Sequence, residues 1–275
     1  MIIKNKTFNS KNFPYIMGIL NVTPDSFSDG GKFNNIDSAL FQTEKMIAEG
    51  ADIIDIGGES TRPNYTPISE TEEISRIEQI VIAIVKRFPD TPLSIDTYKS
   101  KVAEAALSNG CSMVNDIWGL RWSNDNNRNM AKLIAKHDAA CVIMHNRKNI
   151  VELTNEQMLA NITDSFIQSL KIAKDAKISQ DKIILDPGIG FGGKSVEQNL
   201  ECIKNIKCFK KLGYPILIGL SNKSFIGNIL DIDVDNRLIG TLTANIIAIQ
   251  NGAGFIRVHD VKAHKQAIEM LTTLS

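Results

Sequence analysis

The sequence predicts an α/β fold of the (β/α)8 TIM-barrel class, with an active site at the C-terminal ends of the strands. Three observations carry that prediction. Eight short apolar, strand-like runs alternate with helix-patterned stretches along the chain. The chain's 275 residues suit one barrel of about 250 residues, so residues 1–275 read as a single domain. Most of the runs end in polar side chains, although Ile, Val and Leu precede them. A doubly wound open sheet is the rival architecture. It would usually stop at five or six strands and carry a Gly-rich turn after the first. No such turn follows the first run, and Gly188-Ile189-Gly190-Phe191-Gly192-Gly193 imitates the pattern only partly and late in the chain.

The elements follow in order. Tyr15 to Leu20, between Pro14 and Pro24, reads as a buried strand that opens into the polar loop Asn21-Val22-Thr23-Pro24-Asp25-Ser26-Phe27-Ser28-Asp29-Gly30-Gly31. Ile36 to Glu49 spaces Ala39, Leu40, Met46 and Ile47 as one helix face, stopped by Gly50. Ala51 to Gly58 is the second strand, with Glu59-Ser60-Thr61-Arg62-Pro63 at its tip. Ser69 caps the next helix, whose first turn is acidic. Pro92 to Thr97 is the third strand, and its helix ends at Asn109-Gly110. Ser112 to Ile117, Ala139 to His145, Lys182 to Asp186, Tyr214 to Gly219 and Gly254 to His259 are strands four to eight. Lys262 to Leu274 is the last helix.

Composition excludes several classes. Lys plus Arg and Asp plus Glu are 31 each, so no global field points to nucleic acid or a membrane surface, and any anion site must be local. No apolar run reaches the roughly 18 residues that span a bilayer. The start of the chain turns polar at once, so no signal peptide is expected. Cys111, Cys141, Cys202 and Cys208 lack zinc-type or CxxC spacing and read as reduced, small core residues of a cytoplasmic protein.

The strand ends supply Asn21, Asp55, Asp96, Asn115, His145, Asp186, Lys223, Arg257 and His259. Polar groups at the ends of buried strands are costly unless a ligand or a partner satisfies them. Asp96, Asn115 and Asp186 suit the donor-rich edge of a planar heterocycle such as an aminopyrimidine or pterin. Asn21, Arg257 and His259 suit a phosphate or pyrophosphate accompanied by magnesium. Lys223 suits either set. Other residues read as structural: Asp116 orders backbone, Trp118 and Trp122 pack a loop, with bordering the site an alternative for Trp118, and His137 and His264 are solvated. The run Ser123 to Asn129 is a surface loop without a role. For His145, a satisfied histidine at the core edge and a site residue are equal readings.

These residues carry a family resemblance. Asn21 to Gly31 resembles the first signature of the dihydropteroate synthases, and Asp52 to Pro63 resembles the second. Ser94-Ile95-Asp96-Thr97, Asn115-Asp116, Asp186 to Phe191, Lys223-Ser224-Phe225 and Arg257-Val258-His259-Asp260 match the remainder in order. The resemblance implies condensation of 6-hydroxymethyl-7,8-dihydropterin pyrophosphate with p-aminobenzoate, with loss of pyrophosphate. It implies that Asp55, Asp96, Asn115, Asp186, Phe191 and Lys223 hold the pterin, and that Asn21, Thr61, Arg257 and His259 meet the pyrophosphate. Asn21 would contact Mg2+. Phe27, Thr61, Arg62, Pro63, Lys223 and Ser224 would form the p-aminobenzoate pocket, and Asp96, Lys223, Arg257 and His259 the catalytic set. A homodimer is implied, as is sulfonamide sensitivity, because the loop Glu59 to Pro63 is intact.

One position departs from the pattern: Asn222 stands where the family usually carries Arg. It is the only feature favouring a degenerate paralogue that binds a pterin without turnover. The methyltetrahydrofolate methyl-transfer barrels share pterin-reading strand ends. They are expected to lack the Thr-Pro-Asp-Ser-Phe loop and to bind a corrinoid partner.

Overall fold

Successive side chains of a strand face opposite ways, and a parallel strand inside a barrel needs apolar residues on both faces. The aliphatic runs of this chain meet that need. The computed structural model describes residues 1–12, 14–22, 32–59 and 66–274. The chain opens with a small antiparallel hairpin, β1 (Ile2–Ile3) and β2 (Lys6–Thr7). β3 (Tyr15–Asn21) leads to α1 (Lys32–Ala48), β4 (Ile53–Gly57) to α2 (Glu70–Arg87), and β5 (Leu93–Asp96) to α3 (Ser100–Ser108). β6 (Met113–Asp116) leads to α4 (Asn129–Lys136) and β7 (Ala140–Met144) to α5 (Asn155–Asp175). β8 (Ile183–Asp186) is followed by α6 (Val196–Lys204) and the short α7 (Ile206–Lys210). β9 (Leu217–Ile218) precedes α8 (Ser224–Leu230) and α9 (Leu238–Gln250), and β10 (Phe255–Val258) precedes α10 (Val261–Leu274).

β3 to β10 form one parallel sheet in the order β8-β7-β6-β5-β4-β3-β10-β9. Its two edges meet where Leu185 N–H donates to the Pro215 carbonyl at 2.9 Å and Leu185 bridges Ile216. The fold is the predicted (β/α)8 barrel. The seventh barrel strand is shorter than expected, Leu217–Ile218 rather than Tyr214 to Gly219. Pro215 has no N–H, so at that position only its carbonyl joins the ladder. The hairpin β1–β2 went unanticipated, because two-residue strands are too short to show a period.

Alternation divides the core in two. Met17, Ile53, Met113, Val142, Ile184, Leu217 and Phe255 fill the lower barrel interior, and Ile3 and Phe8 from the hairpin segment close it from below. Phe8 meets Tyr15 edge-on at 4.8 Å, and Asn9 N–H donates to the Tyr15 hydroxyl at 2.8 Å. The opposite parity, including Ile16, Ile54, Ile95, Val114, Ile143, Leu185 and Ile256, packs against the helices. Helix starts follow local chemistry. Ser69 accepts from Glu72 N–H at 3.1 Å, and reciprocal capping boxes, Thr154 with Gln157 and Ser195 with Gln198, open α5 and α6. Cys111, Cys141 and Cys202 are free and buried, as expected, with burial pushing the Cys111 thiol up to about 12.

Three side chains depart from expectation. His264 is buried rather than solvated: it accepts from Asn245 Nδ2 at 2.9 Å and donates from Nδ1 to the Asp260 carbonyl at 2.7 Å. His137 is half-buried at the end of α4. Within the supposed surface loop Ser123 to Asn129, Asp125 is buried, and its carboxylate accepts from the Asn129 and Met130 N–H groups at 2.8 and 3.0 Å. It anchors the first turn of α4.

Phe8 is 2% exposed and joins the hairpin segment to the barrel floor. Phe8→Ala is expected to lower the unfolding free energy by about 3–5 kcal/mol, read from urea denaturation. A loss below about 1 kcal/mol would mean that the floor is held by something else.

Candidate active site

The inward-facing file of each strand changes character as it rises. Ile53 is followed inward by Asp55, Ser94 by Asp96, Met113 by Asn115, Ile184 by Asp186, and Phe255 by Arg257. A period of two therefore turns an apolar barrel floor into a polar upper layer at the C-terminal strand ends, where barrel enzymes place their sites. Asn21 ends β3 in the same file, two residues beyond Ile19.

Arg257 lies between two carboxylates. Its Nε donates to Asp55 Oδ2 at 2.6 Å and its Nη2 to Asp96 Oδ2 at 2.7 Å. Asn115 Nδ2 also donates to Asp55 Oδ2, at 3.0 Å. The second oxygens, Asp55 Oδ1 and Asp96 Oδ1, are buried and have no partner among the described residues. A buried acceptor without a donor is costly, and such atoms are retained where a ligand supplies the donor. Burial raises the Asp96 carboxyl to about 7, opposed by Arg257 and reinforced by Asp55. Burial likewise raises Asp186 to about 6, opposed by the Gly188 N–H that donates to its Oδ1 at 2.7 Å.

Cationic and aromatic groups complete the wall. Lys223 Nζ stands 4.0 Å from the centre of the Phe191 ring, in cation–π geometry. Burial lowers the Lys223 ammonium to about 8, with Asp186 opposing the shift and Arg257 adding to it. Phe191, Trp118 and Trp122 pack against one cluster of Tyr98, Ile117 and Met144, so the two tryptophans are loop packing that borders the site. His259, at the exposed rim beyond β10, lies with Nδ1 2.9 Å from Ser221 Oγ, the same oxygen that accepts the His259 N–H at 3.2 Å. Ser224 is exposed as the first residue of α8. Asn21 and Asp96 border one gap: a methyl added at Gly57 would stand 3.6 Å from Asn21 Oδ1 and 3.9 Å from Asp96 Oδ2.

The structure thus brings together Asp55, Asp96, Asn115 and Arg257, and pairs Lys223 with Phe191. Phe27, Thr61, Arg62 and Pro63 lie outside the described residues. Asp116 faces away from the interior and accepts from Trp118 and Leu120 N–H at 2.9 and 2.6 Å, the backbone role expected of it. His145 also leaves the site. Met144 takes the inward position, and His145 packs outward with Nε2 3.2 Å from Asn161 Oδ1. Burial lowers its imidazole to about 4, assisted by Lys194, so the ring is neutral at pH 7.

Residues 17–259 match the pterin binding enzyme family. The dihydropteroate synthase of Clostridium beijerinckii is 51% identical over 271 residues, covering 98% of this chain and 97% of that relative. The chain belongs to the dihydropteroate synthase family of pterin-binding enzymes. The dihydropteroate synthase of Clostridium difficile, solved in the presence of pteroic acid, is 45% identical, covers 98% of this chain and 99% of its own, and superposes with a TM-score of 0.90. That of Xanthomonas albilineans with 4-aminobenzoic acid is 34% identical, with coverages of 96% and 93% and a TM-score of 0.87.

The position that departs from the family pattern has a defined place. Asn222 adopts a left-handed backbone, φ +57°, its carbonyl accepts from Arg237 Nη1 at 2.9 Å, and its N–H donates to Thr241 Oγ1 at 3.3 Å. Asn tolerates this conformation well. Sequence reasoning missed Lys99, whose buried ammonium donates to Glu59 Oε2, Glu73 Oε2 and the Ile68 carbonyl at 2.6, 2.7 and 2.8 Å. These bonds tie down residues on both sides of the second loop. It also missed Lys194 and Asn199 beneath the glycine run. A lysine directly after that run was the one signal available.

The two shifted groups set a pH dependence. A carboxyl raised to about 7 is neutral below that pH and anionic above it, and an ammonium lowered to about 8 is lost above that pH. If the anion of Asp96 and the cation of Lys223 are both required, kcat/KM should rise through about pH 7 and fall beyond about pH 8. Initial rates between about pH 5.5 and 9.5 test this, and Asp96→Asn should remove the acid limb and about a hundredfold of rate or more. An acid limb that survives in Asp96→Asn would assign it to another group.

Proposed function

We infer that this protein condenses 6-hydroxymethyl-7,8-dihydropterin pyrophosphate with p-aminobenzoate, yielding 7,8-dihydropteroate and pyrophosphate for folate biosynthesis. One observation carries most weight: the buried acceptors Asp55 Oδ1 and Asp96 Oδ1, beside Asn115 and within the same wall as Asp186. A pterin presents ring N–H and amino donors along one edge, matching such a set. Phe191 and Lys223 then lie against the ring.

The chemistry follows from charge. Loss of pyrophosphate from a carbon attached to an electron-rich pterin leaves cationic character on that carbon, in the manner of an SN1 reaction. Ionised Asp96 stabilises the growing positive charge, and Arg257 and His259 the leaving anion. Two of the five Arg257 N–H groups are committed to Asp55 and Asp96; an oxyanion would take others. The arylamine nucleophile needs no strong base. Ser224 and Lys223, at the start of α8, would meet the carboxylate of p-aminobenzoate, with Phe27, Thr61, Arg62 and Pro63 completing that pocket.

The described residues fit a magnesium ion carried by the diphosphate. They gather no group of three or more His, Cys, Asp or Glu that could hold a metal alone, and magnesium commonly takes one or two protein oxygens with substrate phosphates supplying more. Asn21 would contribute its amide oxygen, and the bound ion would offset charge on the departing group. We propose a cytoplasmic homodimer. Ile239 and Ile247 are exposed on α9, and exposed Leu230 of α8 reaches Gly240 of the same helix; apolar side chains so placed suit a second copy. No described helix is long and apolar enough to cross a membrane.

Pyrophosphate release on mixing the protein with both substrates and magnesium tests the reaction. Release should require p-aminobenzoate and yield dihydropteroate; tight pterin binding without turnover would instead identify a non-catalytic paralogue. A sulfonamide should inhibit with p-aminobenzoate near its KM and lose potency about fivefold when p-aminobenzoate is raised to about ten times KM, as competition requires. Inhibition that ignores p-aminobenzoate would separate the drug site from the arylamine pocket.

A further inference from the structure

The loop after β8 contains Gly188, Gly190, Gly192 and Gly193, all at positive φ between +66° and +82°. Glycine makes such a backbone accessible and leaves it free to adopt many others. Yet this loop carries Phe191, whose ring must sit opposite Lys223. Two side chains beneath the loop remove that freedom. Lys194 is buried, and its ammonium donates to the Gly188 carbonyl at 2.9 Å and the Phe191 carbonyl at 3.1 Å. The Gly188 carbonyl also accepts the Phe191 N–H at 3.1 Å, closing a tight turn. Asn199, from α6, accepts the Gly190 N–H at 2.7 Å and donates to the carbonyls of Lys194 and Ser195.

Three of these glycines are closely packed. A Cβ at Gly188 would lie 2.0 Å from the His145 carbonyl oxygen, one at Gly192 2.4 Å from the Arg147 carbonyl oxygen, and one at Gly190 2.8 Å from Lys223 Cδ. The loop therefore rests on the backbone beyond β7 and against the lysine it faces. The described hydrogen bonds of Lys194 go to backbone carbonyls, and the Asp186 carboxylate acts on its charge without hydrogen-bonding it. A lysine ammonium buried on two carbonyls of one loop serves the conformation of that loop.

We propose that Lys194 and Asn199 are positioning residues for the pterin, a clamp that holds Phe191 in the orientation in which its ring and Lys223 receive the heterocycle. This rests on the pterin reading of the site. The clamp acts first on the pterin, since Phe191 belongs to the β8 loop, whereas Ser224 and Lys223, which would meet the p-aminobenzoate carboxylate, stand at the start of α8.

The test compares Lys194→Met, which keeps the length and removes the donors, with Asn199→Ala, which removes the acceptor for Gly190, and with the double variant. Each single variant is expected to raise KM for the pterin pyrophosphate, and the Kd measured by calorimetry for 6-hydroxymethyl-7,8-dihydropterin, which lacks the pyrophosphate and cannot react, by about tenfold. KM for p-aminobenzoate and kcat should stay within about threefold. Because both residues serve one loop, the double variant should lose less than the product of the single effects. Equal increases in both KM values, multiplicative losses, or unchanged pterin affinity in a folded single variant would overturn the clamp. If Lys194→Met does not fold, Asn199→Ala decides alone by the same two KM values. Wild-type protein that fails to bind the pterin would overturn the functional reading instead, so the two failures are distinguishable.

Discussion

The buried pairing of Arg257 with Asp55 and Asp96 is the constraint on which the upper barrel depends. Three charged groups enter a region whose floor is apolar apart from Ser94, and each alone would be very costly to bury. The guanidinium is suited to hold two carboxylates at once because its donors form a rigid fork. It bonds one oxygen of each and leaves the other oxygen of each buried and unmatched. Together with Asn115 on Asp55, this fixes the positions of four side chains from four strands, β4, β5, β6 and β10. The barrel converts sequence separations of up to 202 residues into contacts of 2.6 Å. A site assembled on strands is more rigid than one assembled on loops, which suits recognition of a planar ring.

The same network explains why the Asp96 carboxyl is balanced near neutrality. Burial favours its neutral form, Arg257 favours its anion, and the nearby Asp55 carboxylate opposes its ionisation. A heterocycle that brings N–H donors and develops positive charge tips that balance toward the anion. The unmatched oxygens thus weaken the free protein and strengthen the complex, an exchange of stability for binding common at functional sites.

The barrel was legible in the sequence because its evidence is periodic. Apolar runs such as Ile53-Ile54-Asp55-Ile56 mark a strand and, at their polar third position, the height at which the interior becomes a site. The ends Asp96, Asn115, Asp186 and Arg257 were found that way. Parity would also have separated His145 from Met144, since side chains one residue apart face opposite sides. What stayed illegible depends on tertiary geometry. The ladder around Pro215 is set by closure of the ring. Asp125 and His264 are polar residues in polar or amphipathic stretches whose burial follows from the neighbours that fold over them, α4 for one and α9 for the other. Lys99 and Lys194 resemble surface lysines in any window of sequence, and only the folded chain surrounds them with acceptors.

Lys99 and Lys194 also show how a balanced composition yields a sharply structured site. The chain has equal numbers of acidic and basic side chains, yet within the barrel mouth their uses differ. Lys99 holds two buried glutamates beside the second loop, Lys194 holds backbone carbonyls beneath the β8 loop, and Lys223 faces an aromatic ring. An ammonium on a flexible stem suits all three tasks because it offers three rotatable donors and imposes no plane. Arginine appears where two carboxylates must be bridged, at Arg257. The division follows from geometry. Planar forks join paired acceptors within the interior, and point charges fasten the irregular loops around its rim. Because the β8 loop contains glycines and lacks ladder bonds, its order rests on Lys194 and Asn199, whereas the order of the strand-borne carboxylates rests on the whole sheet.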